Sequence, residues 1–155
     1  MHVALAHDYL TQRGGAERVV LAMTRIFGSA TLYTALYNPN QTFPEFRDKD
    51  LRTSPLQHVA PFRRDPRLAL PLLPAAWRAT RVTDADVVLA STSGWAHGVR
   101  VGPDTAKVAY CHNPARWLYQ TDAYLQGPAA RAALRPFLPA LQRWDRNAAA
   151  GVDLR

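Results

Sequence analysis

Apolar positions along the chain follow two spacings in turn. Val3-Ala4-Leu5-Ala6 is a short unbroken apolar run, the pattern of a strand buried on both faces of a parallel sheet. After a polar stretch from His7 to Gly15, the residues Val19, Val20, Met23, Ile26 and Phe27 recur at helical spacing and predict a helix over 16–27, closed by Gly28. Thr31 to Tyr37 is rich in strand formers and is stopped by Asn38-Pro39-Asn40. Strand, turn, helix and strand in this order predict the opening of a βαβ unit.

Residues 38–60 read mostly as loop, with a short strand near Leu51 to Thr53. Residues 61–81 have an apolar centre between arginines, broken by Pro66, Pro71 and Pro74. The strand pattern resumes at 85–91 and again at 106–111. Each of these runs stops at a polar turn, Ser91-Thr92-Ser93-Gly94 and His112-Asn113-Pro114. From Ala129 to Ala150 helix formers dominate, with Leu134, Leu138, Leu141 and Trp144 on one side and kinks expected at Pro136 and Pro139. Alternating strands and helices predict an α/β fold over 1–155, a Rossmann-like parallel sheet with helices on both faces. Gly151 to Arg155 reads as a helix stop followed by the first residues of another strand, so the chain is expected to be the front part of a longer polypeptide.

Composition narrows the class. The 155 residues are 48% hydrophobic, enough for a core without disulfide staples. The single cysteine, Cys111, excludes an internal disulfide and a cysteine-rich zinc site, and makes a reducing, cytoplasmic compartment the expectation. The longest apolar stretch, Leu68 to Trp77, falls well short of the roughly 20 residues that a spanning helix needs. Formal net charge is +7 and all but two of the 19 basic residues are arginine. They are scattered along the chain and no nucleic-acid-binding signature accompanies them, so attraction to phosphorylated small molecules or anionic headgroups explains the surplus and nucleic acid is not an expected partner. Arg63, Arg64, Arg67, Arg78 and Arg81 around Leu68, Leu70, Leu72, Leu73 and Trp77 also suggest peripheral contact with the inner face of a membrane. The competing account has these leucines cover the sheet while the arginines face water.

Ligands of doubly wound sheets bind beyond the carboxyl ends of the strands. Three polar stretches fall at such ends: His7 to Gly15, Ser91 to His97 and His112 to Arg116. Gly14-Gly15 ahead of a helix lets backbone N–H groups approach a phosphate at the positive end of the helix dipole, and also serves as a plain turn and cap. Glu17 in the first helical turn suits the dipole. His112, after a strand and before Asn113-Pro114, suits an acid, a base or a hydrogen-bond donor near neutral pH. Asp8 either orients a sugar hydroxyl or makes an Asx turn. No histidine and carboxylate pair has metal-ligand spacing, so no metal is expected.

Together, His7-Asp8-Tyr9-Leu10-Thr11-Gln12-Arg13-Gly14-Gly15-Ala16-Glu17-Arg18-Val19, Val108-Ala109-Tyr110-Cys111-His112-Asn113-Pro114-Ala115-Arg116-Trp117-Leu118-Tyr119 and Arg143-Trp144-Asp145-Arg146 resemble the amino-terminal half of bacterial family 4 glycosyltransferases, mannosyltransferases among them. The resemblance runs from Met1 to Arg155 and implies half of a GT-B architecture. It implies a retaining, metal-independent and cofactor-free transfer of a hexose from a nucleotide-sugar to a saccharide or lipid-linked acceptor, as in polysaccharide biosynthesis. On the matching positions, Gly14 and Gly15 face the donor diphosphate, His112 lies near the reacting sugar as the catalytic residue, and Asp8 and Arg116 belong to the acceptor and sugar side. The family holds its donor through two glutamates separated by seven residues in a second domain. The only glutamates here are Glu17 and Glu45, so that donor domain is expected to be missing and this chain inactive alone. The alternative is a stand-alone α/β module that binds a phosphorylated ligand without chemistry. A dinucleotide oxidoreductase ranks behind both, because the Gly-x-Gly-x-x-Gly fingerprint is absent.

Overall fold

Strand β1 (Val3–His7) is buried along its whole length, as its apolar run requires, because it lies at the centre of a five-stranded sheet. The computed structural model describes residues 1–124 and 127–153. After β1 come helix α1 (Gly15–Ile26), β2 (Leu32–Thr34) and β3 (Leu51–Thr53). Two short helices follow, α2 (Ala60–Arg64) and α3 (Leu73–Ala79), then β4 (Arg81–Val82), β5 (Val87–Thr92), β6 (Arg100–Val101) and β7 (Ala106–Cys111). The last helices are α4 (Arg116–Tyr119), α5 (Thr121–Tyr124), α6 (Pro128–Leu134) and α7 (Leu138–Ala150).

The main sheet has the order β3-β2-β1-β5-β7, with every pairing parallel. The chain builds outward from β1 to β3, then returns to the other side of β1 at β5. The order therefore reverses between β1 and β5, and a parallel sheet opens a crevice beyond the carboxyl ends of its strands at such a point. Strand alternation sorts β1 between two cores. Ala4 and Ala6 face the layer that holds Leu73, Trp77 and Leu141, whereas Val3 and Leu5 face Val20 and Leu21 of α1 together with Phe46. The fold is thus α/β, with a Rossmann-like parallel sheet flanked by helices.

Local differences from the expected pattern have physical reasons. The strand expected over 31–37 is regular only at Leu32–Thr34, and beyond it Tyr37 makes a single bridge to Leu10. The helical stretch expected over 129–150 breaks at the first of its two expected kinks, where Pro136 withholds a backbone donor and a 3₁₀ turn at Arg135–Phe137 separates α6 from α7, whereas Pro139 falls in the first turn of α7 and does not interrupt it. Leu134, Leu138, Leu141 and Trp144 still share the core-facing side. As their positions led one to expect, the prolines of 61–81 divide that segment, here into α2, a 3₁₀ turn at Pro66–Ala69 and α3. Its Leu70, Leu73 and Trp77 are buried against the sheet, while Leu68 and Leu72 remain exposed. Trp77, which the sequence offered as an interfacial anchor, is a core residue at 1% exposure. The small parallel pair β4 and β6 had no sequence signal beyond two Arg-Val dipeptides. After α7, the Asp153 N–H donates to the Lys107 carbonyl, and the Asp153 carboxylate accepts the Lys107 N–H, so the residues after Gly151 meet the outer edge of β7. Leu154 and Arg155, the rest of the strand start expected there, lie outside the described residues. Among the described residues no helix is long and apolar enough to cross a membrane.

Candidate functional site

The three polar stretches meet at the carboxyl edge of the sheet because β1, β5 and β7 are neighbours in register: His7 lies opposite Ser91, and Ser91 opposite Tyr110. His7 is buried, and its Nδ1 donates to the Ser91 carbonyl at 3.0 Å. A carbonyl only accepts, so Nδ1 carries a proton and Nε2 is left facing Glu17 Oε1 at 3.8 Å. Glu17, 1% exposed, also accepts from Gln12 Nε2 at 3.0 Å and from the Gly14 N–H at 2.9 Å. Burial works against its ionisation, but the hydrogen bond and charge of His7, with the donors around it, hold the carboxyl below its ordinary range.

These contacts separate the two glycines. The Gly14 N–H is taken by Glu17, and a Cβ at Gly14 would stand 2.5 Å from Glu17 Oε2, so this glycine serves the close approach of a buried carboxylate. A Cβ at Gly15 would meet nothing within 4 Å. Backbone at the start of α1 is therefore open to an outside group at Gly15, with the first-turn N–H groups behind it.

His112 stands just past β7, half-buried, with Nε2 at 2.7 Å from Ser91 Oγ and its ring edge-on to Tyr110 at 5.0 Å between centroids. Burial and the charge of His7 push its pKa below the ordinary imidazole value, with Asp8 and Glu17 pulling the other way. A neutral imidazole held by a serine at a strand end is suited to exchanging hydrogen bonds or a proton with a bound hydroxyl. From His112 the contacts run through Ser91 to His7, then to Glu17 and Gly14. Neither Ser91 nor His7 was singled out in this role from sequence, since each becomes polar machinery only when the strands pair.

Asp8 has a structural duty. It is 4% exposed, and its Oδ2 accepts from the Ser93 N–H at 2.6 Å. Its Oδ1 accepts from the Trp95 and Ala96 N–H groups at 2.9 and 2.7 Å and from Thr92 Oγ1 at 3.2 Å. The carboxylate thereby shapes the loop after β5. That loop presents Trp95, which stacks on Trp117 with ring centroids 4.5 Å apart.

Asp8 and Arg116 both line a cavity of about 290 Å³, whose wall includes Trp95 and Trp117 and whose polar groups include Gln12, Gln41, Asn113, Arg64, Asp65 and Arg67. Gly14, Gly15 and His112 are outside this lining, so the sequence-derived residues fall into two adjoining groups on one edge of the sheet. Two tryptophan rings set among many hydrogen-bonding groups, three arginines and two aspartates suit a polar small molecule such as a sugar. His97, at the end of the second polar stretch, is buried with Nδ1 at 3.2 Å from Thr92 Oγ1 and Nε2 at 3.1 Å from Asp145 Oδ1. The other oxygen of Asp145 accepts from the Tyr119 hydroxyl at 2.6 Å; burial, and then this hydrogen bond and the charge of Asp145, push the Tyr119 pKa up to about 12. The Cys111 thiol is raised by burial and by the charges of Asp145 and Asp8, which disfavours the thiolate. Among the described residues no group of three or more histidine, cysteine or carboxylate side chains is arranged to hold a metal ion. Comparison with family models, with curated proteins and with solved structures found no match.

Proposed function

We propose that this chain is the acceptor-side half of a retaining glycosyltransferase that moves a hexose from a nucleotide-sugar to a saccharide or lipid-linked acceptor. The observation that carries the reading is His112, held by Ser91 at the carboxyl end of β7 and joined through His7 and Glu17 to the loop that starts α1. In this reading the reacting sugar sits over His112 and its diphosphate faces the start of α1 at Gly15. The acceptor occupies the cavity of Asp8, Arg116 and the two tryptophans. The bond from the anomeric carbon to the diphosphate breaks, the bond to the acceptor oxygen forms, and the acceptor proton leaves with the nucleoside diphosphate. First-turn N–H groups stabilise charge that develops on the departing phosphate. A second, donor-binding domain supplies the paired glutamates that this sequence lacks, and the chain alone does not turn over.

The test uses a polypeptide that joins this domain to its donor domain, with radiolabelled GDP-mannose and UDP-glucose as donors. Hexose transfer accompanied by nucleoside diphosphate release is expected, and His112→Ala should lower kcat by about a hundredfold while changing KM little. Gly15→Val should fold normally, given the free space at that position, and should lose transfer. No diphosphate release with any nucleotide-sugar, or unchanged kinetics in folded His112→Ala, would overturn the reading.

A further inference from the structure

A second basic cavity lies away from this edge. It occupies about 690 Å³ between α7, the strand β6 with the turn before it, and the end of α3. Arg78, Arg100, Arg143 and Lys107 line it with Asn147, and no aspartate or glutamate does. It shares no lining residue with the cavity of Asp8 and Arg116.

Lys107 is the unusual member. It belongs to a sheet strand and is 8% exposed, a degree of burial rare for lysine without an ion partner. Its Nζ donates to the carbonyls of His97 at 3.1 Å and Val99 at 3.4 Å, and among the described residues no carboxylate lies within ion-pair distance of it. An ammonium has three donors, so one N–H remains for an acceptor from outside. Burial lowers the Lys107 pKa, with the charge of Asp153 acting the other way. The Asp153 carboxylate is itself engaged by the Lys107 backbone N–H and does not line the cavity. Arg78, Arg100 and Arg143 are exposed and form no ion pair among the described residues.

Four cations gathered without an acid repel one another, and the buried one has also lost its hydration. Bidentate guanidinium groups and a point-charge ammonium around one cavity make the donor set that fits phosphate oxygens. The volume falls within the range of small-molecule sites. The wall is also built closely: a Cβ at Gly98 would collide with the Trp144 ring, so this glycine lets the turn before β6 seat against α7. We infer that the cavity floored by Lys107 and rimmed by Arg78, Arg100 and Arg143 binds a phosphate-bearing ligand, with a diphosphate or a phosphomonoester as the recognised group. The site is independent of the transfer reaction proposed above.

The experiment records ¹H–¹⁵N spectra of the 155-residue chain while inorganic pyrophosphate is added at constant ionic strength. Saturable shifts are expected at the amides of Gly98, Arg100, Val101 and Asn147. The double variant Arg100→Gln/Arg143→Gln, whose altered side chains are exposed, should weaken this binding about tenfold or more. Lys107→Met should do the same, and where it does not fold the arginine variant still decides. Arg64→Gln/Arg67→Gln at the other cavity should leave these shifts in place. In parallel, co-sedimentation with phosphatidylcholine vesicles, with and without phosphatidic acid, separates the two sources of phosphate. Vesicle binding that needs phosphatidic acid and is lost in the double arginine variant identifies a lipid headgroup; pyrophosphate binding without it identifies a soluble ligand. Shifts that chloride reproduces, shifts that survive the double arginine variant, or the absence of both kinds of binding would overturn the inference.

Discussion

Replacing Asp8 by alanine tests whether one buried carboxylate organises the carboxyl edge. The side chain accepts from three backbone N–H groups, of Ser93, Trp95 and Ala96, and from the Thr92 hydroxyl, all between 2.6 and 3.2 Å. Hydrogen bonds to a charged acceptor contribute about 1.5–3 kcal/mol each, and a buried donor left unmet costs about 1–3 kcal/mol. Three orphaned donors would set an upper range of about 3–9 kcal/mol if nothing relaxed. The Ser93 N–H is only partly buried and can turn to water, and the Thr92 hydroxyl keeps its contact with His97, so the expected loss is about 3–5 kcal/mol. For a chain of this size that lowers Tm by roughly 6–20 °C. Asp8→Asn keeps the shape but turns an amide NH₂ toward one of the backbone donors, and should cost about 2–3 kcal/mol. Urea unfolding followed by circular dichroism measures both. Tryptophan emission reports the loop as well, because Trp95 leaves its stack on Trp117 when the loop is freed. A loss below about 1 kcal/mol in Asp8→Ala, with emission unchanged, would refute the argument that this carboxylate holds the loop.

Gly14→Ala should destabilise by about 1–3 kcal/mol because its Cβ meets the buried Glu17 carboxylate, whereas Gly15→Ala should be neutral or stabilising by up to about 1 kcal/mol; equal urea midpoints for the two would contradict the assignment. The Glu17 carboxyl is held below its ordinary value of 4.5, so the stability it contributes is full above that pH and disappears as pH falls through the lowered folded value. Glu17→Gln should therefore be less stable near neutral pH and show a flatter acid limb, and a stability–pH curve parallel to that of the unaltered chain would exclude this linkage. The His112 ring, read by NMR titration, should take up its proton below the ordinary 6.5, and a midpoint at or above that value would remove the neutral imidazole from the proposed mechanism.

Contiguous apolar runs determine what a short segment can do, and for that reason β1, β5 and β7 were legible from the sequence, β7 with the same bounds. A strand's polar stop is local too, so the three loops at the carboxyl edge were legible in the sequence as well. Which polar groups meet there was decided by the sheet. Ser91 and His112 are 21 residues apart and the Asp8 carboxylate reaches 85 residues along the chain to Ser93; only the register of β1 with β5 and of β5 with β7 brings them within hydrogen-bond distance. Glu17 read only as a partner of the helix dipole, and it became the buried partner of Gly14 and His7 because α1 packs over β1. The prolines around Trp77 already argued for a core element over a membrane-surface helix, and burial against the sheet makes Trp77 core. Lys107 carried no signal, since a lysine inside an apolar run looks like an outward-facing position until the turn at His97 and Val99 closes over its ammonium. Local pattern records which side of an element is apolar. The pairing of elements distant in sequence supplies the partners that turn a polar side chain into a site.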